Sequence, residues 1–456
     1  MNNRLLHPVL RAWMMVLAFA VLVSAQGVQP YPKAVTDRSI HDKRPMRPPF
    51  VNRPFSDRDF GSQMVRVTDA TTNYKIPGSF LRTEASGKAN EWSADGRKFY
   101  VLGSGGQIFV FGFDRSTMTA TNLSGAKPGQ GLLVPLRSGP TFSFVDPDLI
   151  YGTTNSTPLV ISRYRLSTGV RSAVFDTTNC GTQPALQSGA DASDEDINLS
   201  ANDRRISLSA GGPPGGKHMF VVVYDQQLGC RWYNTETGEV GGQWGPSGTA
   251  TIADRFFISV VWLSKDGRYV QIPEGRNFYV WDLATLKVTA CKHGLGLQCE
   301  GYGTLGYSNF VNGPAVIDDM QVVKRPLSNL AKITQLVYPL SPPYYWGQPQ
   351  HFTWSNVDAK DSTPVCASTY SYDGDPAIDQ PLAGEILCVE TDGLASTVWR
   401  FAHNRATYIP PYFHTQPLGS VSRDGRFFLF TSDWDAQLGL GSDGKPRSDV
   451  FIVKLE

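Results

Sequence analysis

The sequence predicts an all-β protein, a single seven-bladed β-propeller with four-stranded blades, and three observations lead to that prediction. The 456 residues include 44 glycines and 31 prolines spread along the chain, which disfavours long helices. A strand–turn–strand pattern, in three copies with an Asp-Gly turn, recurs along the chain. The last repeat lacks one strand, and one unassigned strand precedes the first repeat, so the two ends can complete one sheet.

Residues 1–25 have the composition of a secretory signal peptide. Arg4 and Arg11 precede an apolar run from Ala12 to Val23, and small residues follow that run. A membrane-spanning helix needs roughly 20 apolar residues, so the run favours cleavage, with an uncleaved anchor as the alternative. We therefore expect a periplasmic or extracellular protein without a membrane span after cleavage.

A proline-rich arm follows at residues 26–60. Such a segment is extended and cannot build a core of its own. We expect it to lie along the surface of the domain or to extend freely. The propeller is expected to occupy residues 61–456.

The repeated unit is clearest at Trp92-Ser-Ala-Asp-Gly-Arg-Lys-Phe-Tyr-Val, where an Asp-Gly turn joins a short strand to an alternating aromatic strand. In five related units the positions equivalent to Ser93 are 146, 200, 264, 355 and 422. The long interval between 264 and 355 has room for two blades, and strand patterns beginning at 303, 319 and 333 fit the additional one. The repeats therefore predict seven blades of a WD40-like type.

The chain ends support closure of the ring. The last repeat has strand patterns at 419–421, 426–431 and 449–455, and the chain then stops one strand short. The segment 63–69 can supply the missing strand, which would remove the open edge of an unclosed ring. A large β-sandwich, or two, is the alternative, but a sandwich does not need a turn that recurs at this period.

The six cysteines indicate disulfides. An even number in an exported chain favours structural pairs, and the absence of a C-x-x-C motif argues against zinc. Six cysteines allow 15 pairings, among which nearest-neighbour pairing is the simplest. That choice pairs Cys180 with Cys230, Cys291 with Cys299, and Cys366 with Cys388.

Charge and motifs exclude several functions. A formal net charge of +1 gives no basic footprint for nucleic acid. The sequence contains no H-E-x-x-H, G-x-S-x-G, Walker loop or G-x-G-x-x-G after a strand. An acidic run at 191–196 lacks the spacing of an EF-hand, so a solvated loop is favoured over a calcium site.

Four histidines are predicted to share one end of the ring. In a propeller the inner strands start and the outer strands end at the same mouth, and this topology places there His218, His351, His403 and His414. Imidazole suits Zn²⁺ or Mn²⁺ and also serves as a base near neutrality, although for each histidine by itself a hydrogen-bonded structural role is favoured over metal binding. Aromatic residues in the same loops, among them Trp346 and Tyr412, can stack on sugars.

The C-terminal blades contain four short motifs: His403-Asn-Arg, His414-Thr-Gln-Pro, Ser420-Val-Ser-Arg-Asp-Gly-Arg and Leu429-Phe-Thr-Ser-Asp. In these motifs the chain resembles oligogalacturonate lyases, which are seven-bladed propellers related to the propeller of TolB. Aligned on Ser420, two histidines of the family fall on Gln416 and Leu418. A glutamine can still bind a metal through its oxygen, whereas a leucine cannot.

The resemblance implies a metal-assisted β-elimination on an acidic, uronate-containing oligosaccharide. The divalent metal (Mn²⁺, Zn²⁺ or Ca²⁺) would be held by His351, His414 and Gln416, with His218 or His403 as the base. Lys217 and Arg405 would hold further carboxylates, and Trp346 and Tyr412 would contact the sugar. The alternative is a TolB-like, non-catalytic propeller that binds a glycan or a protein of the cell envelope. In either case we expect a monomer.

Overall fold

The computed structural model describes most of the chain after residue 29. The described residues are 30–84, 89–137, 139–181, 197–211, 219–252, 256, 258, 260–275, 277–292, 299, 303–313, 322–337, 350–370, 381–393 and 397–456. Contacts divide the chain into a large unit, Ala34–Leu455, and a small unit of Met1–Lys33 with Glu456, of which only 30–33 and 456 are described. The predicted signal peptide lies outside the described residues.

The large unit is built from antiparallel sheets whose strands follow one another in chain order. Two strands precede the first blade: β1 (Phe55–Ser56) and β2 (Gln63–Arg66). Blade 1 contains β3 (Leu81–Arg82), β4 (Lys98–Gly103), β5 (Ile108–Asp114), β6 (Thr119–Thr121) and β7 (Leu132–Val134), which pairs with β5. Blade 2 contains β8 (Thr141–Phe142), β9 (Leu149–Thr154), β10 (Thr157–Arg165) and β11 (Val170–Asp176). Blade 3 contains β12 (Asn198–Leu199), β13 (Arg205–Ala210), β14 (Phe220–Asp225), β15 (Gly229–Asn234), β16 (Glu239–Gly242) and β17 (Gly248–Thr249).

The remaining blades continue the same pattern. Blade 4 contains β18 (Trp262–Leu263), β19 (Tyr269–Glu274), β20 (Asn277–Asp282) and β21 (Val288–Cys291). Blade 5 contains β22 (Thr304–Leu305), β23 (Asn309–Asn312), β24 (Val322–Pro326) and β25 (Thr334–Val337). Blade 6 contains β26 (Gln350–Thr353), β27 (Val365–Thr369), β28 (Glu385–Val389) and β29 (Val398–His403). Blade 7 contains β30 (Gly419–Val421), β31 (Phe427–Ser432) and β32 (Asp449–Lys454). Short 3₁₀ turns lie at Thr177–Asn179 and Phe413–Thr415.

These sheets confirm the prediction of an all-β, seven-bladed propeller and exclude the β-sandwich alternative. The seventh sheet has the order β1-β2-β32-β31-β30, so the N-terminal strand β2 completes the last blade as predicted. Within it Met64 pairs with Val453 and Arg66 with Phe451. The additional blade expected between 264 and 355 is also present, as blade 5.

A buried ion pair accompanies this closure. Arg66 of β2 contacts Asp449 of β32 at 2.5 Å, and Arg447 contacts the same carboxylate at 2.6 Å. Thr68 donates a further hydrogen bond to Asp449 at 3.3 Å, and the carboxylate is fully buried. Because both ends of the chain contribute, the charges of this group are satisfied only when the ring is closed.

The repeated turn is a self-contained hydrogen-bonded unit. In blade 1 the Ser93 hydroxyl donates to Asp95 at 2.7 Å and accepts from the Lys98 amide at 2.9 Å. The same bonds recur around Ser264 and Ser422. In blade 2 the equivalent residue is Ser143, whose hydroxyl accepts two backbone amides, so the position predicted at 146 is wrong by three residues. The longer turn before Leu149 hides the pattern in the sequence.

Aromatic side chains fill the space between neighbouring blades. Trp92 of blade 1 lies against Phe99 and Phe113 of its own blade and Phe427 of blade 7. Its indole N–H donates to the carbonyl of Ser420 at 3.0 Å. Each blade therefore buries its apolar face against the next one, as a repeat architecture requires.

The three disulfides are those of nearest-neighbour pairing. Cys366 and Cys388 lie directly opposite each other on β27 and β28, and Cys291 and Cys299 close a short loop. Cys180 follows the outer strand of blade 2 and bonds Cys230 in β15 of blade 3, so this disulfide links two blades.

The part of the arm that belongs to the large unit, residues 34–60, lies along the outer strands of blades 6 and 7. Val35 forms a β-bridge with Arg400 of β29, and β1 pairs with β2. The guanidinium of Arg400 forms two hydrogen bonds with Glu385, at 2.6 and 2.8 Å, and donates to the carbonyls of Asp37 and Ser39. A buried arginine of the propeller thus holds the arm.

We expect Asp449→Asn to destabilise the protein strongly. Removing the carboxylate leaves Arg66 and Arg447 without their counter-charge at the ring closure, which costs about 3 kcal/mol or more. Urea unfolding followed by tryptophan fluorescence measures this. Asp443→Asn, an exposed substitution in the connection between β31 and β32, is the matched control and should cost less than about 0.5 kcal/mol. Equal effects of the two substitutions would show that closure does not depend on this ion pair.

Candidate functional site

The topology gives the central channel two different ends. The connections from the first to the second strand of each blade form one end, which we call the turn end. The connections between the second and third strands, and from each outer strand to the next inner strand, form the other end, which we call the mouth. The starts of β26 and β30 and the end of β29 all lie at the mouth.

His351 and Gln416 lie together at the mouth. His351 is on the inner strand of blade 6, and Gln416 is in the connection that leads to the inner strand of blade 7. The imidazole Nε2 is 2.9 Å from the Gln416 Oε1, so Nε2 donates and the amide oxygen accepts. Two residues that are 65 positions apart in sequence thus form one polar pair between two blades.

Aromatic rings surround this pair. Tyr370 stacks on His351 with ring centroids 5.3 Å apart, and Phe413 meets the same imidazole edge-on at 6.3 Å. Tyr408 contacts Tyr370 edge-on at 5.6 Å. Phe413 is 44% exposed although it is a large apolar side chain. We call these five residues (His351, Tyr370, Tyr408, Phe413 and Gln416) the mouth cluster.

His414 has other partners. Its Nε2 donates to the carbonyl of Pro446 at 2.8 Å, and its ring stacks on Phe80 at 3.7 Å. Tyr412, the predicted sugar contact, is half-buried and lies 5.7 Å from the same ring. Burial lowers the pKa of His414. The structure therefore turns this imidazole towards blades 7 and 1, and the Nε2 that would bind a metal is already used.

His403 lies at the end of the outer strand of blade 6, under the arm. Its Nε2 is 3.6 Å from Asp59 Oδ2, and the ring meets Phe60 edge-on at 5.1 Å. Both the Nε2 and the Asp59 oxygen are buried without a hydrogen-bond partner among the described residues. Burial lowers the pKa of His403 to about 4. The structure thus places this histidine in the contact between arm and propeller.

Arg405 is also engaged by the arm. One guanidinium nitrogen contacts Asp435 at 3.0 Å, and another donates to the carbonyl of Arg44 at 2.7 Å. The side chain is 1% exposed and lies over the ring of Trp434. Its charge therefore has a structural counter-ion. The other predicted residues, His218, Lys217 and Trp346, lie outside the described residues.

The described residues do not complete the metal site that the resemblance implies. No group of three His, Cys, Asp or Glu side chains in the described part of the chain lies close enough together to hold a metal ion. The mouth cluster offers two donors, the His351 imidazole and the Gln416 amide, while His414 points elsewhere. Leu418, at the second family position, is fully buried and has no donor atom.

Two buried glutamates that the sequence analysis missed lie at the inner edge of blade 1. Leu81 and Arg82 pair with β4, and an isolated β-bridge joins Trp92 to Phe99 of the same strand. Glu91 accepts the backbone N–H of Glu84 at 2.7 Å. Burial raises the pKa of Glu91 well above its ordinary value, whereas Glu84 lies 3.6 Å from Arg82.

The position of these glutamates could not be inferred from spacing. Glu91 directly precedes the strand Trp92-Ser-Ala-Asp-Gly, and a glutamate next to an inner strand is the one available signal. A tertiary contact of Glu84 comes from the connection that leads into blade 2, where the Gly139 N–H donates to its carboxylate at 3.2 Å. Such a contact is invisible until the blades are arranged in a ring.

Comparison with known proteins gives similarity at low identity. No protein-family model and no curated protein matches the sequence. Among solved structures, an oligogalacturonate lyase from Vibrio parahaemolyticus is 12% identical with a TM-score of 0.47, over 90% of this chain and 99% of that chain. The β-propeller domain of Cps50 (Swd1) from Myceliophteria thermophila is 11% identical with a TM-score of 0.40, over 82% of this chain and 98% of that chain.

The covalent structure indicates the compartment. Three disulfides fit an extracellular or periplasmic protein, because such bonds persist in oxidising environments. No helix in the described ranges has the length and hydropathy of a membrane span.

The burial of His403 predicts a pH dependence of stability. The folded protein holds the pKa of this group near about 4, below the ordinary 6.5, so the unfolded chain binds a proton that the folded chain does not. The contribution of the neutral ring to the free energy of unfolding is therefore complete above pH 6.5 and is lost as the pH falls towards 4. Between pH 7 and 4 the free energy of unfolding of the wild type should fall by about 3 kcal/mol more than that of His403→Gln. Denaturant titrations at a series of pH values measure both, and parallel curves would contradict this role.

Proposed function

We propose that the protein is an exported binding propeller that takes an oligosaccharide at its mouth, between blades 6 and 7. The observation that supports this proposal is the mouth cluster, in which a histidine–glutamine pair is flanked by aromatic rings and one of those rings is exposed. Saccharide sites combine the same two features, because sugars present hydroxyl groups at the ring edges and apolar C–H groups on the ring faces.

The chemistry of the cluster suits hydroxyl recognition. The Gln416 amide offers both a donor and an acceptor, and the His351 ring is half-buried on a rigid inner strand. Phe413 and Tyr370 offer apolar faces beside these polar atoms. Because blade strands and a short 3₁₀ turn fix the positions of these groups, a ligand would meet a largely preformed surface.

Recognition of an acidic sugar would depend on cations other than those described at the mouth. Arg405 is paired with Asp435, and Arg82 lies beside Glu84, so these cations are already compensated. Lys217 remains the proposed partner of a uronate carboxylate. We therefore propose an oligosaccharide, with a uronate-containing one as the more specific form of the proposal.

Metal-assisted β-elimination is the second candidate. It is favoured by one observation, that His351 and Gln416, two of the three implied ligands, do lie within hydrogen-bond distance of each other. It is disfavoured by the engagement of His414 with Pro446. Binding needs only the groups that the structure brings together, so we propose binding first.

Export is part of the proposal. The N-terminal sequence has the charge and hydropathy pattern of a secretory signal peptide, and three disulfides require an oxidising compartment to form. A binding propeller in the periplasm or outside the cell would meet oligosaccharides there.

Substitutions in the mouth cluster should weaken binding. With oligogalacturonates and cello-oligosaccharides as probes in isothermal titration calorimetry, Phe413→Ala and Gln416→Ala should each lower affinity about tenfold. Phe50→Ala removes an even more exposed phenylalanine, on the arm, and is the control that should leave affinity unchanged. If neither class of probe binds, or if all three variants bind alike, the mouth is not the site.

Catalysis is tested separately from binding. Under the binding proposal, incubation of the protein with oligogalacturonates and added Mn²⁺ should give no increase in the ultraviolet absorbance of an unsaturated uronate product. A rise in absorbance that is lost in His351→Ala would replace the binding proposal with the lyase. Measurement of bound metal on the same samples shows whether the ion is retained.

A further inference from the structure

Phe144 lies at the turn end of the ring. This residue follows the inner strand of blade 2, yet it is contacted from blades that are not its neighbours. The ammonium of Lys265 in blade 4 lies 5.2 Å from its ring centroid, and Arg423 in blade 7 donates to its carbonyl. Blade 3 separates blades 2 and 4, and blade 1 separates blades 7 and 2, so these contacts can form only across the ring axis. Phe144 therefore lies near that axis.

Lys265 is a buried cation without a close counter-ion. The residue is 7% exposed, and no described side chain or carbonyl accepts a hydrogen bond from its ammonium. The contact with the Phe144 ring supplies a cation–π attraction only. Burial lowers the pKa of Lys265 to about 8, which still leaves the amine mostly charged at neutral pH.

Asp361 of blade 6 is the carboxylate that attracts Lys265, but its oxygens already accept hydrogen bonds from other groups. It accepts the backbone N–H groups of Tyr307, Ser308 and Asn309 at 2.5 to 3.0 Å. The side-chain amides of Asn309 and Asn356 add two further hydrogen bonds. A carboxylate offers about four acceptor positions, so none is left for the lysine.

Arg423 brings a second cation to the same place. Its guanidinium has one hydrogen bond to the Phe144 carbonyl and no ion pair within 4 Å among the described residues, because the neighbouring Asp424 contacts Arg115 instead. Arg423 is exposed and also lines a cavity of ≈ 250 Å³ at this end of the ring. It is therefore accessible from solvent.

We propose that Lys265 and Arg423 form an oxyanion-binding site at the turn end of the channel, which takes a carboxylate or phosphate group beside Phe144. Lys265 is 7% exposed and its ammonium has no hydrogen-bond acceptor among the described residues, so an anion that bridges it to a guanidinium would supply a charged acceptor to both groups. The planar guanidinium also presents two parallel donors to such a group. This site is at the opposite end of the channel from the mouth and is independent of the function proposed there.

Isothermal titration calorimetry of the full protein tests the site with sulfate, inorganic phosphate and citrate, and with chloride as the reference anion. Lys265→Met and Arg423→Met should each weaken binding about tenfold or more, since a hydrogen bond to a charged group is lost. Lys360→Met is the matched control, because it removes an exposed lysine from the same end of the ring and should leave the affinity unchanged. Preference for phosphate over citrate, or the reverse, identifies the group that the site takes.

The pH dependence gives a second measurement. Sulfate affinity of the wild type should fall between pH 7 and 9 as Lys265 loses its proton, and Lys265→Met should not show this additional fall. The charged groups at this place are Asp361 of blade 6, which attracts the ammonium, and Asp203 of blade 3, which accepts the Phe144 N–H and is attracted by Arg423; these groups and Arg423 are all retained in that variant.

Three results would overturn the proposal. One is binding of all the oxyanions no tighter than chloride at millimolar concentrations. Another is a loss of affinity that is equal in the Lys265, Arg423 and Lys360 variants, which indicates general surface charge. The third is unchanged binding in both Lys265→Met and Arg423→Met. The Lys265 substitution removes a buried charge and Arg423 is exposed, so both variants are expected to fold, and circular dichroism verifies this.

Discussion

Closure of the ring by β2 and β32 is the constraint on which the rest of the structure depends. The backbone pairing of Met64 with Val453 joins two segments that are almost 390 residues apart in sequence, and the Arg66–Asp449 ion pair is buried at the same joint. Without that joint, blades 1 and 7 would each expose an apolar face and blade 7 would leave an unpaired edge. The contacts across the channel, including those of Phe144, would also be lost.

The arm connects blade 6 to the sheet that closes the ring. Its residues follow one another from Val35 on the outer strand of blade 6 to β1 on blade 7, and they cover Arg400 and His403 on the way. The connection that carries Tyr408, Phe413 and Gln416 begins directly after His403, so the arm supports the start of the segment that bears three of the five residues of the mouth cluster. Burial under the arm also explains why His403 and Arg405 have structural partners, although their sequence positions suggested the mouth.

The fold was more predictable from the sequence than the site. Turn hydrogen bonds around Ser93, Ser264 and Ser422 are local, so the same short pattern specifies the same turn wherever it occurs, and the period of the repeats then predicts seven blades. The disulfide of Cys366 and Cys388 is likewise set by the register of two adjacent strands. Prediction failed where the local pattern changed, as in blade 2, where Ser143 rather than residue 146 begins the turn.

The sequence alone determined the all-β class, the repeat, the closing strand and the end of the ring at which each connection lies. All of these follow from residues close together in the chain or from the order of the strands. Only the tertiary structure decided which side chains meet. It brought His351 to Gln416, turned His414 onto Phe80 and Pro446, and set Lys265 and Arg423 against Phe144 across the axis. The physical reason is that topology fixes the end of the channel at which a residue lies, whereas the direction of its side chain depends on packing between blades and on the arm, which no local pattern encodes.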